Sequence, residues 1–117
     1  MAGIVHIPWY ATLFRADRFE QAVQEIAPVA LRYCAREYAV HRGRDDRYKF
    51  LHLSWFDDHD DWERYWYGPE FCDWRADYAG WYQVPVLYAW NDIVVHGGLG
   101  EGEEHLAGQA PAEGDTL

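Results

Sequence analysis

Two alternating runs, Glu37–Arg42 and Tyr48–Phe56, flank the segment GRDD (Gly43–Asp46), whose residue types favour turns. The pattern predicts a β-hairpin. Side chains on a strand alternate between its two faces, so one register assigns every residue of both strands. With the turn closed around Gly43–Asp46, His41 lies opposite Tyr48, Ala39 opposite Phe50, and Glu37 opposite His52. These six share one face. Tyr38, Val40, Leu51, Leu53 and Trp55 take the other, an apolar floor on which helices can pack.

The flanking segments supply the remaining layers. Gly3–Phe14 is an extended run of β-branched and aromatic residues, with Pro8 predicting an irregular pairing. Asp17 followed by Glu20 resembles a capping box, and Phe19, Ala22, Val23, Ile26 and Ala30 recur at helical spacing up to a kink expected at Pro28. Asp57 or Asp58 is expected to cap a second helix carrying Trp62, Tyr65 and Trp66. Gly68-Pro69 breaks it, and Phe71, Trp74 and Tyr78 continue the spacing. Gln83–Val95 is the last predicted strand. The order β-α-β-β-α-β predicts an α+β ferredoxin-like fold, a four-stranded antiparallel sheet with two helices on one face. Its other face is bare and needs a partner, for which a second copy of the chain is expected.

Strand parity places Val5 and Ile7 under the helices and Ile4, His6, Pro8 and Tyr10 on the bare face. Tyr88 and Trp90 are expected to join the latter, with Val86. That face then collects His6, His41, His52 and Glu37 among aromatic residues.

Composition narrows the possible partners. The chain has 117 residues, one domain's worth, with seven Trp and nine Tyr. The net charge of −10 disfavours nucleic acid and anionic membranes. No apolar run reaches membrane-spanning length and no basic stretch precedes the N-terminal one, so a cytoplasmic protein is expected. Cys34 and Cys72 form no metal or redox pattern and are expected to be buried or idle thiols. Residues 97–117 are rich in Gly, Ala and Glu and predict a disordered acidic tail after a folded domain spanning 1–96.

The element order, with DWERYWYGPEF in the second helix and WYQVPVLYAW leading into the last strand, resembles the dimeric α/β-barrel superfamily. Its members include antibiotic-biosynthesis-type monooxygenases, polyketide cyclases, muconolactone isomerases and haem-degrading enzymes. The resemblance covers roughly residues 3–96. It implies a homodimer whose bare faces form a barrel, with ligands bound inside it or between sheet and helices. The Asn-Trp-His set of the haem-degrading members has no counterpart at matching positions.

Histidine titrates near neutrality and can take a proton from an activated carbon or phenol, with a carboxylate fixing its tautomer. His52 with Glu37, and His6 on the same face, therefore form the expected catalytic group. Tyr10, Tyr48 and Tyr88 are candidate donors to an oxyanion, and His41, Phe50 and Trp90 join them in lining the substrate site. The expected activity is acid/base chemistry on an aromatic or polyketide-like substrate without an organic cofactor, of monooxygenase, cyclase or isomerase type. Two alternatives remain open. His6, His52 and Glu37 could hold a metal ion as a two-histidine, one-carboxylate set, or a histidine could hold haem. The face could equally be a non-catalytic ligand-binding or dimerisation surface.

Overall fold

The computed structural model describes residues 2–99. Strand β1 (Gly3–Tyr10) is followed by helix α1 (Ala16–Ile26), a 3₁₀ segment (Ala27–Tyr33), β2 (Ala35–Arg42), β3 (Lys49–Phe56), α2 (His59–Trp66), α3 (Pro69–Asp77) and β4 (Ala89–Asp92). The four strands form one antiparallel sheet in the order β2-β3-β1-β4, with the helices on one face. This is the ferredoxin-like arrangement that the element order predicts.

Helix α1 buries its whole apolar stripe, Phe19, Ala22, Val23 and Ile26, and Ala30 follows in the 3₁₀ segment. Pro28 has no N–H to continue the α-helical ladder, and the chain tightens to 3₁₀ at that point rather than kinking. The expected capping box does not form. Asp17 and Glu20 instead both accept from the Arg42 guanidinium, at 3.0 and 2.8 Å, which ties α1 to the edge of the sheet. Asp58 does cap α2, its carboxylate accepting from the Asp60 N–H at 3.0 Å. Gly68 is required between α2 and α3, because a Cβ there would meet the Arg64 carbonyl oxygen at 2.5 Å and the Tyr33 hydroxyl at 2.8 Å.

The hairpin register differs from the expected one. Gly43 N–H donates to the Lys49 carbonyl at 2.9 Å, and Val40 pairs with His52 and Arg42 with Phe50. The Asp46 carboxylate accepts from the Tyr48 N–H at 3.1 Å, an Asx-type turn that takes Tyr48 out of the strand. The pairing is thereby offset by three residues. An odd offset turns every β3 side chain to the opposite face. Phe50, His52, Ser54 and Phe56 lie beneath the helices, while Leu51, Leu53 and Trp55 lie on the open face with Ile4, His6, Pro8, Glu37, Ala39 and His41.

The last strand is shorter than expected. Only Ala89–Asp92 pair with β1, and Val5 faces Trp90, which places Trp90 on the helix side. Both cysteines are exposed, contrary to the buried option. The acidic tail falls, from residue 100 onward, outside the described residues, and Gly97–Leu99 carry no regular structure.

Candidate functional site

The expected group on the open face does not assemble. His52 is fully buried under the helices, whereas Glu37 and His6 point to the other side of the sheet. Across the sheet from Glu37 is Trp55, not His52. His6, His52 and Glu37 therefore cannot converge on one metal ion in this chain. His41 is exposed on the open face, and the exposed Tyr10 donates its hydroxyl to Asp46. Tyr48 is half-buried in the hairpin loop and accepts from the Phe14 N–H at 3.4 Å. Phe50, Tyr88 and Trp90 pack on the helix side: Phe50 against Phe19, Tyr88 against Trp62 and Trp66, and Trp90 against His59. His59 is half-buried by that contact and lies 3.8 Å from Glu63.

What the sequence reading missed is the layer between the sheet and α2–α3. Ring centroids there form a connected aromatic cluster: Trp62–Trp66 at 5.4 Å, Trp66–Phe71 at 4.9 Å, and Tyr88 at 4.9 Å from Trp62 and 5.2 Å from Trp66. The Arg75 guanidinium carbon sits 3.9 Å above the Trp66 ring and 5.0 Å from that of Phe71, and His52 lies 6.1 Å from Phe71 on the sheet side. Arg75 and Tyr88 are both half-buried and cover Trp66 at the surface of this layer.

His52 carries a specific protonation state. The Trp9 indole N–H donates to its Nδ1 at 3.3 Å. An indole nitrogen can only donate, so Nδ1 must present its lone pair and the neutral ring must carry its proton on Nε2. Burial pushes the His52 pKa down to about 3, so the ring is neutral at physiological pH. Nε2 is buried and has no partner. His52 is thus a buried N–H donor whose Nε2 has no lone pair to offer, and the expected general-base role does not fit it.

Among the described residues three other buried side-chain atoms on the helix side are without a well-formed hydrogen bond: Ser54 Oγ, Arg75 Nη1 and Trp62 Nε1, the last of which faces the Tyr88 hydroxyl. Together with His52 Nε2 they present three N–H donors and one hydroxyl, with no carboxylate among them. Leaving a buried donor unpaired costs roughly 1–3 kcal/mol, so such groups mark places where an ordered water or a ligand supplies the acceptor. Tyr65 shows how a buried polar group in the same layer is otherwise treated: its hydroxyl donates to the Ile26 carbonyl at 2.7 Å.

No protein-family model matches the chain, and no curated protein does. Solved structures do. A protein from Nitrosomonas europaea provisionally described as an antibiotic biosynthesis monooxygenase superposes with a TM-score of 0.72 at 13% identity, covering 82% of this chain and 94% of that one. One from Bordetella bronchiseptica with the same provisional description gives 0.70 at 16%, covering 80% and 98%. The chain shares their α+β ferredoxin-like fold. SnoaB, a cofactor-independent oxygenase from Streptomyces nogalater, shares that fold at a TM-score of 0.68 and 14% identity, covering 80% of this chain and 95% of that one.

At these identities the likeness is one of fold, and a fold does not by itself carry a reaction. Within this fold, the chain places donors that are unpaired among the described residues between sheet and helices. No described helix is long and apolar enough to cross a membrane.

Proposed function

We propose that this protein is a small-molecule monooxygenase that acts, without an organic cofactor, on an oxygenated aromatic substrate bound between the sheet and α2–α3. The observation that carries this reading is His52 Nε2–H, a buried donor with no acceptor among the described residues, in an aromatic layer that also holds the Arg75 guanidinium over Trp66 and Phe71. Arg75 and Tyr88, which cover Trp66, would move aside to admit the substrate. Its ring would stack on Trp66 and Phe71, and its oxygens would accept from His52, Trp62 and Arg75.

The chemistry follows from the sign of the donors. N–H groups and a guanidinium stabilise a phenolate or enolate over its neutral form, which lowers the substrate's own pKa and favours ionisation in the site. The resulting electron-rich anion can reduce dioxygen. One oxygen atom enters the substrate and the other leaves as water, with both electrons and both protons drawn from the substrate (RH₂ + O₂ → R=O + H₂O). His52 serves here as an anion-stabilising donor, and the substrate's proton passes to solvent.

We further propose that the apolar open face, with Ile4, Leu51, Leu53 and Trp55, is covered by a second copy of the chain. Ligand affinity and oxygen uptake test the catalytic reading. 2-Hydroxy-1,4-naphthoquinone, an enolate at neutral pH, should quench the tryptophan fluorescence saturably, and dihydroxynaphthalenes should consume oxygen faster with enzyme than without it. Both effects should fall at least about tenfold in His52→Phe and in Arg75→Met. Unchanged affinity in both variants would remove the site from this layer, and binding without oxygen uptake would leave a non-catalytic binding protein.

A further inference from the structure

A cavity of about 380 Å³ lies on the face of the sheet away from the helices, at the hairpin end. That is within the range of small-molecule sites, about 300–1,000 Å³. Its floor follows from the pairing register: His41 on β2, Leu51 on β3 and Pro8 on β1 form one row across the open face. Lys49, next along β3 on the same face, completes the rim.

Its polar side chains are a lysine and a histidine. Lys49 and His41 are both exposed, and neither makes an ion pair among the described residues. The nearby Asp46 carboxylate accepts from the Tyr10 hydroxyl and the Tyr48 N–H, and Lys49 also acts on it through space, without closing to an ion pair. Arg42 also lines the cavity, but its guanidinium is committed on the far side of the sheet to Asp17 and Glu20.

Charge across the whole chain sharpens the choice of ligand. Arg42, Arg44, Arg47 and Lys49 place four of the chain's ten Lys and Arg within eight residues, although the chain carries a net charge of −10. Asp45 and Asp46 fall in the same eight residues and Arg42 is paired with Asp17 and Glu20, so the cation that an anion meets at the cavity itself is Lys49, with Arg44 and Arg47 further round the hairpin.

We infer that this hairpin cavity binds an apolar carboxylate, its hydrocarbon body on Pro8 and Leu51 and its anionic head on Lys49 and His41. The lining residues all come from one chain, and Leu51 is also part of the face proposed to take a second copy, so a ligand on Leu51 and a partner on Leu51 would compete. The cavity is independent of the site proposed between sheet and helices.

Octanoate and its neutral isostere octanamide are suitable probes, with binding followed by methyl NMR of the intact protein. Octanoate should bind saturably and shift the Leu51 methyl resonances, and octanamide should bind about tenfold more weakly or worse. Lys49→Gln should weaken octanoate by a similar factor without changing Tm, since Lys49 is exposed and unpaired. His52→Phe should leave octanoate binding intact, which separates this cavity from the sheet–helix layer. Absence of saturable octanoate binding would overturn the inference. So would equal affinity for octanamide, an unaffected Lys49→Gln variant, or shifts at Trp66 and Tyr88 in place of Leu51.

Discussion

Acid should destabilise this protein specifically through His52. The side chain is fully buried, and burial lowers its folded-state pKa to about 3 from an ordinary value of 6.5. Between those values the unfolded chain holds a proton on this residue that the folded chain does not. The unfolded state therefore binds more protons, and stability falls as pH falls through that window. At pH 7 the residue contributes almost nothing to this difference. At pH 4 the unfolded ring is almost wholly charged while the folded ring is still mostly neutral, which costs the fold about 3 kcal/mol. Other groups titrate over the same range, so the comparison must be with a variant that lacks only this ring. His52→Gln retains an oxygen that can accept from Trp9 and has no proton to gain. Urea unfolding at pH 7 and at pH 4 gives the loss for each protein. The wild type should lose about 3 kcal/mol more than His52→Gln over that interval. Equal losses would mean that His52 is charged or solvated in the fold, and the assignment of a neutral buried donor would fail.

Three other outcomes are expected. Arg42→Met breaks two contacts that tie α1 to the sheet edge, and it should lower stability by about 1 kcal/mol in urea unfolding, because Asp17 and Glu20 remain largely exposed. Gly68→Ala should cost about 1–3 kcal/mol by the same measurement, since the added Cβ meets backbone that cannot move aside cheaply. Trp55→Lys, on the open face, should convert a dimer to a monomer in sedimentation velocity, and a wild type that sediments as a monomer at micromolar concentration would dismiss the proposed covering of that face.

The fold was legible in the sequence because its signals were redundant. The helical stripe of α1, the Gly68-Pro69 break and the turn-forming GRDD each point to the same element order. The fine placement of β3 rested on a single signal, the loop length, and an Asx turn at Asp46 changed it by an odd number. Hydrophobicity worked against the correct choice. Leu51, Leu53 and Trp55 look like core residues, yet they lie on the face away from the helices, where Leu53 alone of the three is buried, and the helix-side face mixes His52 and Ser54 with Phe50 and Phe56. One signal could have warned of this. Phe50 and Phe56 share the parity of His52, so the buried-face reading was open from the outset. The Trp9–His52 hydrogen bond was not legible at all, because it joins residues 43 positions apart and depends on that parity.

The tautomer of His52 is the decisive observable for the proposed site. In protein with ¹⁵N-labelled histidine, long-range ¹H–¹⁵N correlation spectra at pH 7 report which ring nitrogen carries the proton. The expected result is a neutral ring protonated at Nε2 and bare at Nδ1, unchanged down to about pH 5. Adding 2-hydroxy-1,4-naphthoquinone should then move the Nε2–H resonance downfield while leaving Nδ1 near its free position. A ring protonated at Nδ1, an imidazolium at neutral pH, or an Nε2–H that does not respond at saturating ligand would contradict the assignment of His52 as the donor that receives the substrate's oxygen.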